Sequence, residues 1–388
     1  MSSRKTFLAG AAALAAVPGR ALAALPPPYA ATVTLGVCGP FTGDDTKFGE
    51  QIANGVREAC DDANQLRGAM DRAFAMRTFD DENLLASGIV TAGFACDDPT
   101  IVCVIGHLGG HITESAARIY AQRGMPLIVP ASTFDRITED ALGNVLRLPT
   151  KDSTEGRLTA KYVETWAKPT KVAICYQDGD YGFDVARGFA QQLDADKIAL
   201  ASVEISYSKP NFPGAAVHAL ALNPDTVYLA GNVGDMGDML HALRAAGFTG
   251  AIATSKGFFS QQTLTKYAAD LGHFAVATPL PPLELAPTVY RTRTTFEQRY
   301  GAGTFTYLSA FGYAAAQIAI AAIRRSGTND RLALLRELQL PAPYDTVVGS
   351  YEFLPAGDAI QPNMYFYGIR DGKFRYDSPS IPTGFLIR

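Results

Sequence analysis

The chain has 388 residues, 47% of them hydrophobic and 19% charged, with a formal net charge of −4. That length and balance allow two domains with full cores and exclude a disordered chain. The acidic balance, with no basic stripe, leaves no footprint for nucleic acid or for an anionic membrane surface.

The N-terminus reads as a targeting segment. Arg4 and Lys5 precede a short apolar run over residues 7–17, and Ala21-Leu22-Ala23 forms an A-x-A cleavage site. The run is too short to span a membrane. Residues 1–23 are therefore expected to be a cleavable signal peptide, and the protein is expected in the periplasm. The stretch SRKTFL is similar to a twin-arginine signal with Lys5 in place of the second arginine, and an ordinary secretory signal is the other route. The leader holds Arg4, Lys5 and Arg20 and no acid, so −4 less three positive charges leaves −7 for the mature chain. The first cysteine is Cys38, so no lipid anchor on a new N-terminal cysteine is expected.

A first strand is predicted over residues 32–38 (TVTLGVC), followed by a turn-rich loop at Gly39 to Asp44 and a helix from about Lys47. A second strand, residues 74–79, ends in Asp80-Asp81, with Glu82 completing an acidic loop expected to be solvated. A helix over 84–95 leads to the central stretch, residues 101–133 (IVCVIGHLGGHITESAARIYAQRGMPLIVPAST). Here an apolar strand ends in a Gly-rich turn, a helical pattern stops at Gly124, and a second apolar run breaks at Pro130 before Ala131, Ser132 and Thr133. The alternation of short apolar runs with helical patterns predicts βαβ units and a parallel sheet. In such a sheet these two loops share the carboxyl edge, where open α/β sheets bind ligands.

The composition breaks at residues 150–153, and the pattern restarts. Helices are predicted over 154–167, 183–193, 212–222 and 236–246. Strands are predicted over 171–176, 200–207, 226–230 and 251–254. Their loops carry Asp178 and Tyr181, Asn232, and Lys256. From Phe274 the chain changes: Pro279, Pro281, Pro282 and Pro287 mark a crossover. Helices follow over 288–300, 306–324 and 331–338; the second is Ala-rich and reads as buried. Residues 351–353 and 364–369 are predicted to form an antiparallel hairpin turning at Gly357-Asp358 on a sheet edge.

The five cysteines, Cys38, Cys60, Cys96, Cys103 and Cys175, form no C-x-x-C and are expected to be structural. His107 and His111 lie four apart, but Gly109-Gly110 between them argues against the helical pairing a metal needs, and no metal or other cofactor is expected. Ser132 as a nucleophile with His111 as base lacks the G-x-S-x-G turn, so the chain is not read as an enzyme. The Gly109-Gly110 turn at a helix start offers free N–H groups that suit a carboxylate, and Ser132 and Thr133 could add hydroxyls. Lys256, at a strand end, could face solvent, pair with a neighbour such as Asp235, or meet an anionic ligand.

These motifs together resemble a known family. VIGHLGG followed by a helix and LIVPAST, the opening LGVCGPFTGDDTKFGEQIANGVREA, FDDENLLAS, KVAICYQDGDYG, VYLAGN…GDMLHALRAAGF and VVGSYEF are similar to the periplasmic leucine/isoleucine/valine-binding proteins of ABC uptake systems. The resemblance implies a type I periplasmic binding protein, an α/β fold of two Rossmann-like lobes joined by three hinge crossovers near Thr150, Pro279 and Gly349. The lobes are expected to be residues 32–150 with 279–348, and residues 151–278 with 349–388. It also implies capture of a small organic acid or amino acid between the lobes, delivery to an inner-membrane permease complex, and a monomer. The expected ligand-binding set is Phe48, Leu108, Gly109, Gly110, Ala131, Ser132, Thr133, Asp178, Tyr181, Asn232 and Lys256.

Where the resemblance implies a serine, an aromatic residue and an ammonium-binding acid, this chain has Gly110, Asn232 and Lys256. A cation facing an ammonium at 4 Å costs about 4 kcal/mol at an effective dielectric near 20. A keto acid, an aromatic acid or a dicarboxylate is therefore expected to fit better than leucine, with Lys256 holding a second anionic or carbonyl group. The alternatives are an amino-acid binder with Asp235 or Asp178 as ammonium partner, and a ligand sensor feeding a receptor. Asn83 and Gly109 stand where some relatives pair two cysteines.

Overall fold

The computed structural model describes residues 31–65, 72–195, 198–206, 208–283, 286–360 and 364–377; the expected signal peptide lies outside them. The first array runs β1 (Ala31–Gly39), α1 (Thr46–Gln65), β2 (Arg72–Asp80), α2 (Leu85–Asp97), β3 (Ile101–Ile105), α3 (Gly110–Gln122), β4 (Leu127–Val129) and β5 (Val145–Arg147). Its strands form one parallel sheet in the order β2-β1-β3-β4-β5.

The second array runs α4 (Asp152–Trp166), β6 (Lys171–Gln177), α5 (Asp180–Ala195), β7 (Ala199–Ile205), α6 (Phe212–Leu220), β8 (Thr226–Ala230), α7 (Val233–Ala245), β9 (Ala251–Thr254), α8 (Gln261–Lys266) and β10 (Phe274–Thr278). The chain then forms α9 (Pro287–Tyr300), α10 (Tyr307–Ser326), α11 (Arg331–Leu338), a small antiparallel pair β11 (Tyr344–Thr346) and β12 (Gly349–Tyr351), and the hairpin β13 (Tyr365–Arg370) and β14 (Lys373–Tyr376). The second sheet has the order β14-β13-β10-β9-β8-β6-β7, parallel apart from the β13–β14 edge.

The central strands β3, β8 and β10 are buried along their whole length. Sheets covered by helices on both faces need such unbroken apolar runs. The buried α10 packs on α1 in the first lobe, with Phe311, Ile318 and Ile323 in the same core as Leu35 and Ile105. Two glycines set that contact: a Cβ on Gly55 would lie 2.1 Å from the Ser309 carbonyl oxygen, and one on Gly312 would lie 2.5 Å from that of Ile52. The helices α4 and α5 use the same device at Gly156 and Gly188, each of which would place a Cβ 2.1 Å from a carbonyl oxygen of the other helix.

The structure departs from the sequence reading in several places. β5 and β10 are additional strands: β5 is only three residues long, and β10 runs straight into the proline-rich crossover. The edge hairpin turns at Asp371-Gly372, because β13 pairs with β14 and residues 351–353 do not join that sheet. Residues beyond Gly349 still meet the first lobe. Arg147 N–H donates to the Gly357 carbonyl at 2.8 Å and its guanidinium holds Asp358, so residues 353–360 lie against the first sheet. The acidic loop is not simply solvated. Asp81 is buried against His107, and Asp80 accepts the N–H groups of Phe41 and Glu82.

Among the described residues no helix is long and apolar enough to cross a membrane. All five cysteines are free and buried.

Candidate functional site

The loops that follow β3, β4, β6, β8 and β9 leave the carboxyl ends of parallel strands and meet between the two sheets. They line an open cavity of about 340 Å³. From the expected set, Leu108, Gly110, Ala131, Ser132, Thr133, Tyr181, Asn232 and Lys256 line it.

Phe48, Gly109 and Asp178 are not among the lining residues. Phe48 packs against the core of the first lobe. Gly109 is the residue before α3, and a side chain there would run into Asn83 and Ile112. Asp178 uses its N–H to extend the sheet pattern to the Ile205 carbonyl. Asp235 lines a separate cavity with Gln177 and Phe212. Neither acid named as an ammonium partner thus lies on this cavity.

On the first-lobe side, α3 begins at Gly110 with no side chain capping it. The opening N–H groups of a helix have no intrahelical acceptor and carry a partial positive charge. Gly110 has a packing reason as well: a Cβ there would sit 2.7 Å from Cβ of Phe134, the residue that closes the Ser132-Thr133 loop. A serine at this position would require Phe134 to move.

On the second-lobe side the acids come from α4. Lys256 follows β9, and its ammonium donates to Glu155 Oε2 at 2.6 Å, to Asp152 Oδ1 at 3.3 Å and to Thr133 Oγ1 at 3.3 Å. The same nitrogen lies 4.0 Å from the centre of the Tyr181 ring. Glu155 Oε1 accepts the Lys256 backbone N–H at 2.8 Å and the Tyr181 hydroxyl at 3.3 Å. The side chains of Lys256, Asp152 and Glu155 are only 9%, 3% and 0% exposed. Lys256 therefore pairs with Glu155 and Asp152, not with Asp235, and its ammonium donates within the protein to Glu155, Asp152 and Thr133.

The electrostatics follow from this packing. Burial pulls the Lys256 ammonium down, but Glu155, with Tyr181 and Asp152, outweighs it and holds the pKa well above the usual lysine value. Burial pushes the Asp152 carboxyl up to about 6 against the pull of Lys256. Burial and the neighbouring Glu155 push the Tyr181 phenol up as well.

His111 also lines the cavity, and its Nε2 lies 2.5 Å from Asp180 Oδ2 across the gap between lobes. Among the described residues no hydrogen bond joins His111 to Ser132. His107 is wholly buried, with Nδ1 2.6 Å from Asp81 and Nε2 3.0 Å from the Tyr120 hydroxyl, and it serves the core under the loop.

Sequence reasoning missed Phe134, Asp152, Glu155, Asp180 and Tyr307. Asp152 and Glu155 had a signal: two acids three apart at a helix start, where the helix dipole favours them. Tyr307 had none, since α10 reaches the cavity from another part of the chain.

The periplasmic binding protein family model matches residues 32–373. An amino acid binding protein of Pseudomonas aeruginosa is 26% identical over 379 residues, covering 96% of this chain and 99% of that protein. Among solved structures, a leucine binding protein of Thermotoga maritima aligns with a TM-score of 0.78 at 20% identity, covering 89% of this chain and 98% of its own. A solute binding protein of an ABC transporter from R. palustris, in complex with benzoate, aligns with a TM-score of 0.74 at 20% identity, covering 89% and 95%. With two α/β lobes facing each other across a loop-lined cavity and a family match over nearly the whole described chain, this protein belongs to the periplasmic binding protein family.

Proposed function

We propose that this chain is the extracytoplasmic solute-binding component of an ABC importer and that it captures a small carboxylate lacking an ammonium group. The observation that carries the reading is the Lys256 ammonium, which already occupies the acidic end of the cavity through Glu155 and Asp152. A ligand ammonium would meet a like charge there. The carboxylate is held at the other end, by the N–H groups that open α3 and by the hydroxyl of Ser132, with Thr133 shared with Lys256. An aromatic or keto acid fits this division. A dicarboxylate loses its motive, because Lys256 is engaged within the protein.

Capture is reversible and makes no bond. Residues 32–150 with 279–360 form one lobe and residues 151–278 with the C-terminal hairpin form the other, and the lobes close on the ligand by a hinge. A signal peptide at residues 1–23 takes the chain to the periplasm, where it works as a monomer and hands its ligand to a membrane permease. The benzoate complex of the R. palustris protein supports an aromatic acid on this fold.

Thermal shift and calorimetry on the mature protein with benzoate, 4-hydroxybenzoate, phenylpyruvate, leucine and valine test the reading. Stabilisation by one or more of the acids is expected, growing as RT ln(1 + [L]/Kd). Tight leucine or valine binding with no response to any acid would overturn it. One observation favours a second reading, an amino-acid ligand. Asp152 and Asp180 both line the cavity, and the cluster holds two carboxylates against one ammonium.

A further inference from the structure

The surroundings of the Lys256 ammonium have the composition of a ligand site. Two nearly inaccessible carboxylates, a threonine hydroxyl and the face of an aromatic ring converge on one primary ammonium. Charge-assisted hydrogen bonds to carboxylates and attraction to a ring face are the interactions by which proteins recognise alkylammonium ligands. Here the cation is tethered to the chain.

The Glu155 carboxylate and the Asp152 backbone do not depend on the tether for their positions. Glu155 Oε1 is held by the backbone N–H of Lys256 and by the Tyr181 hydroxyl, neither of which belongs to the lysine side chain. Asp152 opens α4, and its own N–H donates to the Thr133 carbonyl at 2.9 Å. A residue with a shorter side chain at position 256 leaves the Glu155 carboxylate and the Asp152 backbone in place and opens a slot beside the cavity.

We propose that Asp152, Glu155 and Tyr181 form an ammonium-binding subsite that the chain keeps filled with its own Lys256, making Lys256 the residue that excludes amino-bearing ligands. This rests on reading the cavity as the ligand site. Truncation of Lys256 converts the cleft from one that rejects ammonium to one that binds it.

Lys256→Ala removes three methylenes and the ammonium, the outline of n-propylammonium. The test is calorimetry and thermal shift of the full mature chain with n-propylammonium chloride, with tetramethylammonium chloride at equal ionic strength as the control without N–H donors. K256A is expected to bind n-propylammonium about tenfold or more tightly than the wild type does, as a single charge-assisted contact would allow. The response should vanish in K256A/E155Q. Lys256→Met, which fills the slot without charge, should show no gain. K256A leaves two acids without their cation, so K256A/D152N, with half that burden, serves as the second variant and must also gain the amine. A folded K256A or K256A/D152N that responds to n-propylammonium no more than the wild type overturns the proposal, as does an equal response to tetramethylammonium. The probe carries no carboxylate. Wild type that binds benzoate beside a K256A that ignores the amine therefore defeats this proposal alone, and the reverse pattern defeats the carboxylate reading alone.

Discussion

The Lys256 ammonium lies 2.6 Å from Oε2 of Glu155, a residue 101 positions earlier in the chain. The contact joins the end of a central strand to the first turn of α4 at the point where the chain has just entered the second lobe. Breaking a buried pair by removing one partner leaves the other charge uncompensated, at 3–5 kcal/mol in typical cases. Glu155→Gln is expected to destabilise the protein by about 3 kcal/mol, the low end of that range because Asp152 remains beside the lysine. Urea unfolding at pH 7.5 measures it, and a loss below ~1 kcal/mol would mean that the pair is as weak as a surface one.

Asp152 should behave in the opposite way. Its carboxyl is raised from 3.8 to about 6 in the folded protein. Between those values the fold holds a proton that the unfolded chain has released, so the group's contribution is fully present below about pH 4 and is lost as pH rises through 6. Above that, the ionised carboxylate costs the fold on the order of 3 kcal/mol, chiefly because it is buried, with the neighbouring Glu155 adding to the cost and Lys256 offsetting part of it. Asp152→Asn is therefore expected to raise Tm at pH 8 and to leave it little changed at pH 4. Melting curves of both proteins across pH 4–8 show whether the gap opens around pH 6.

Gly110 offers a steric test. A Cβ at this position meets Phe134 Cβ at 2.7 Å and Cγ at 2.9 Å, atoms at the base of the ring side chain that cannot swing away. Gly110→Ala is expected to cost about 1–3 kcal/mol by overpacking. It should also weaken the binding of the carboxylate, because the Ser132-Thr133 loop must shift with Phe134. Calorimetry with whichever acid stabilises the wild type reads the second effect. Unchanged affinity would place the anion elsewhere in the cavity.

His111 and Asp180 meet across the mouth of the cleft, but their side chains are 52% and 53% exposed. Exposed pairs contribute about 0–1 kcal/mol. Asp180→Asn is expected to lower ligand affinity by no more than about fivefold, with the loss shrinking as salt is raised. A hundredfold loss would show that this contact, and not the Lys256 cluster, governs closure.

How much of this was readable in advance can be traced residue by residue. Apolar runs at residues 101–105, 226–230 and 251–254 coincide with β3, β8 and β9, since a strand buried on both faces needs an unbroken apolar segment. Gly110, Ser132 and Thr133 were legible because each lies within a few residues of such a strand end, where topology alone brings loops together. Short elements were harder. β5 is three residues with a buried arginine at its end, whose partners are Phe134, Thr138 and Asp358, the last 211 positions away.

Local pattern determined the alternation of strand and helix, the doubling of the βα array and the small-residue loops at one sheet edge, because periodicity and turn chemistry act over a few residues. The partners of Lys256 were decided only by tertiary structure. From sequence the lysine had three open fates and Asp235 as a nearby candidate. The fold instead brings it to Asp152 and Glu155 on α4, because close packing of α4 on α5 at Gly156 and Gly188 sets the acids and Tyr181 around the end of β9. A buried charge takes whichever opposite charge the packing supplies, and sequence separation carries no information about that choice.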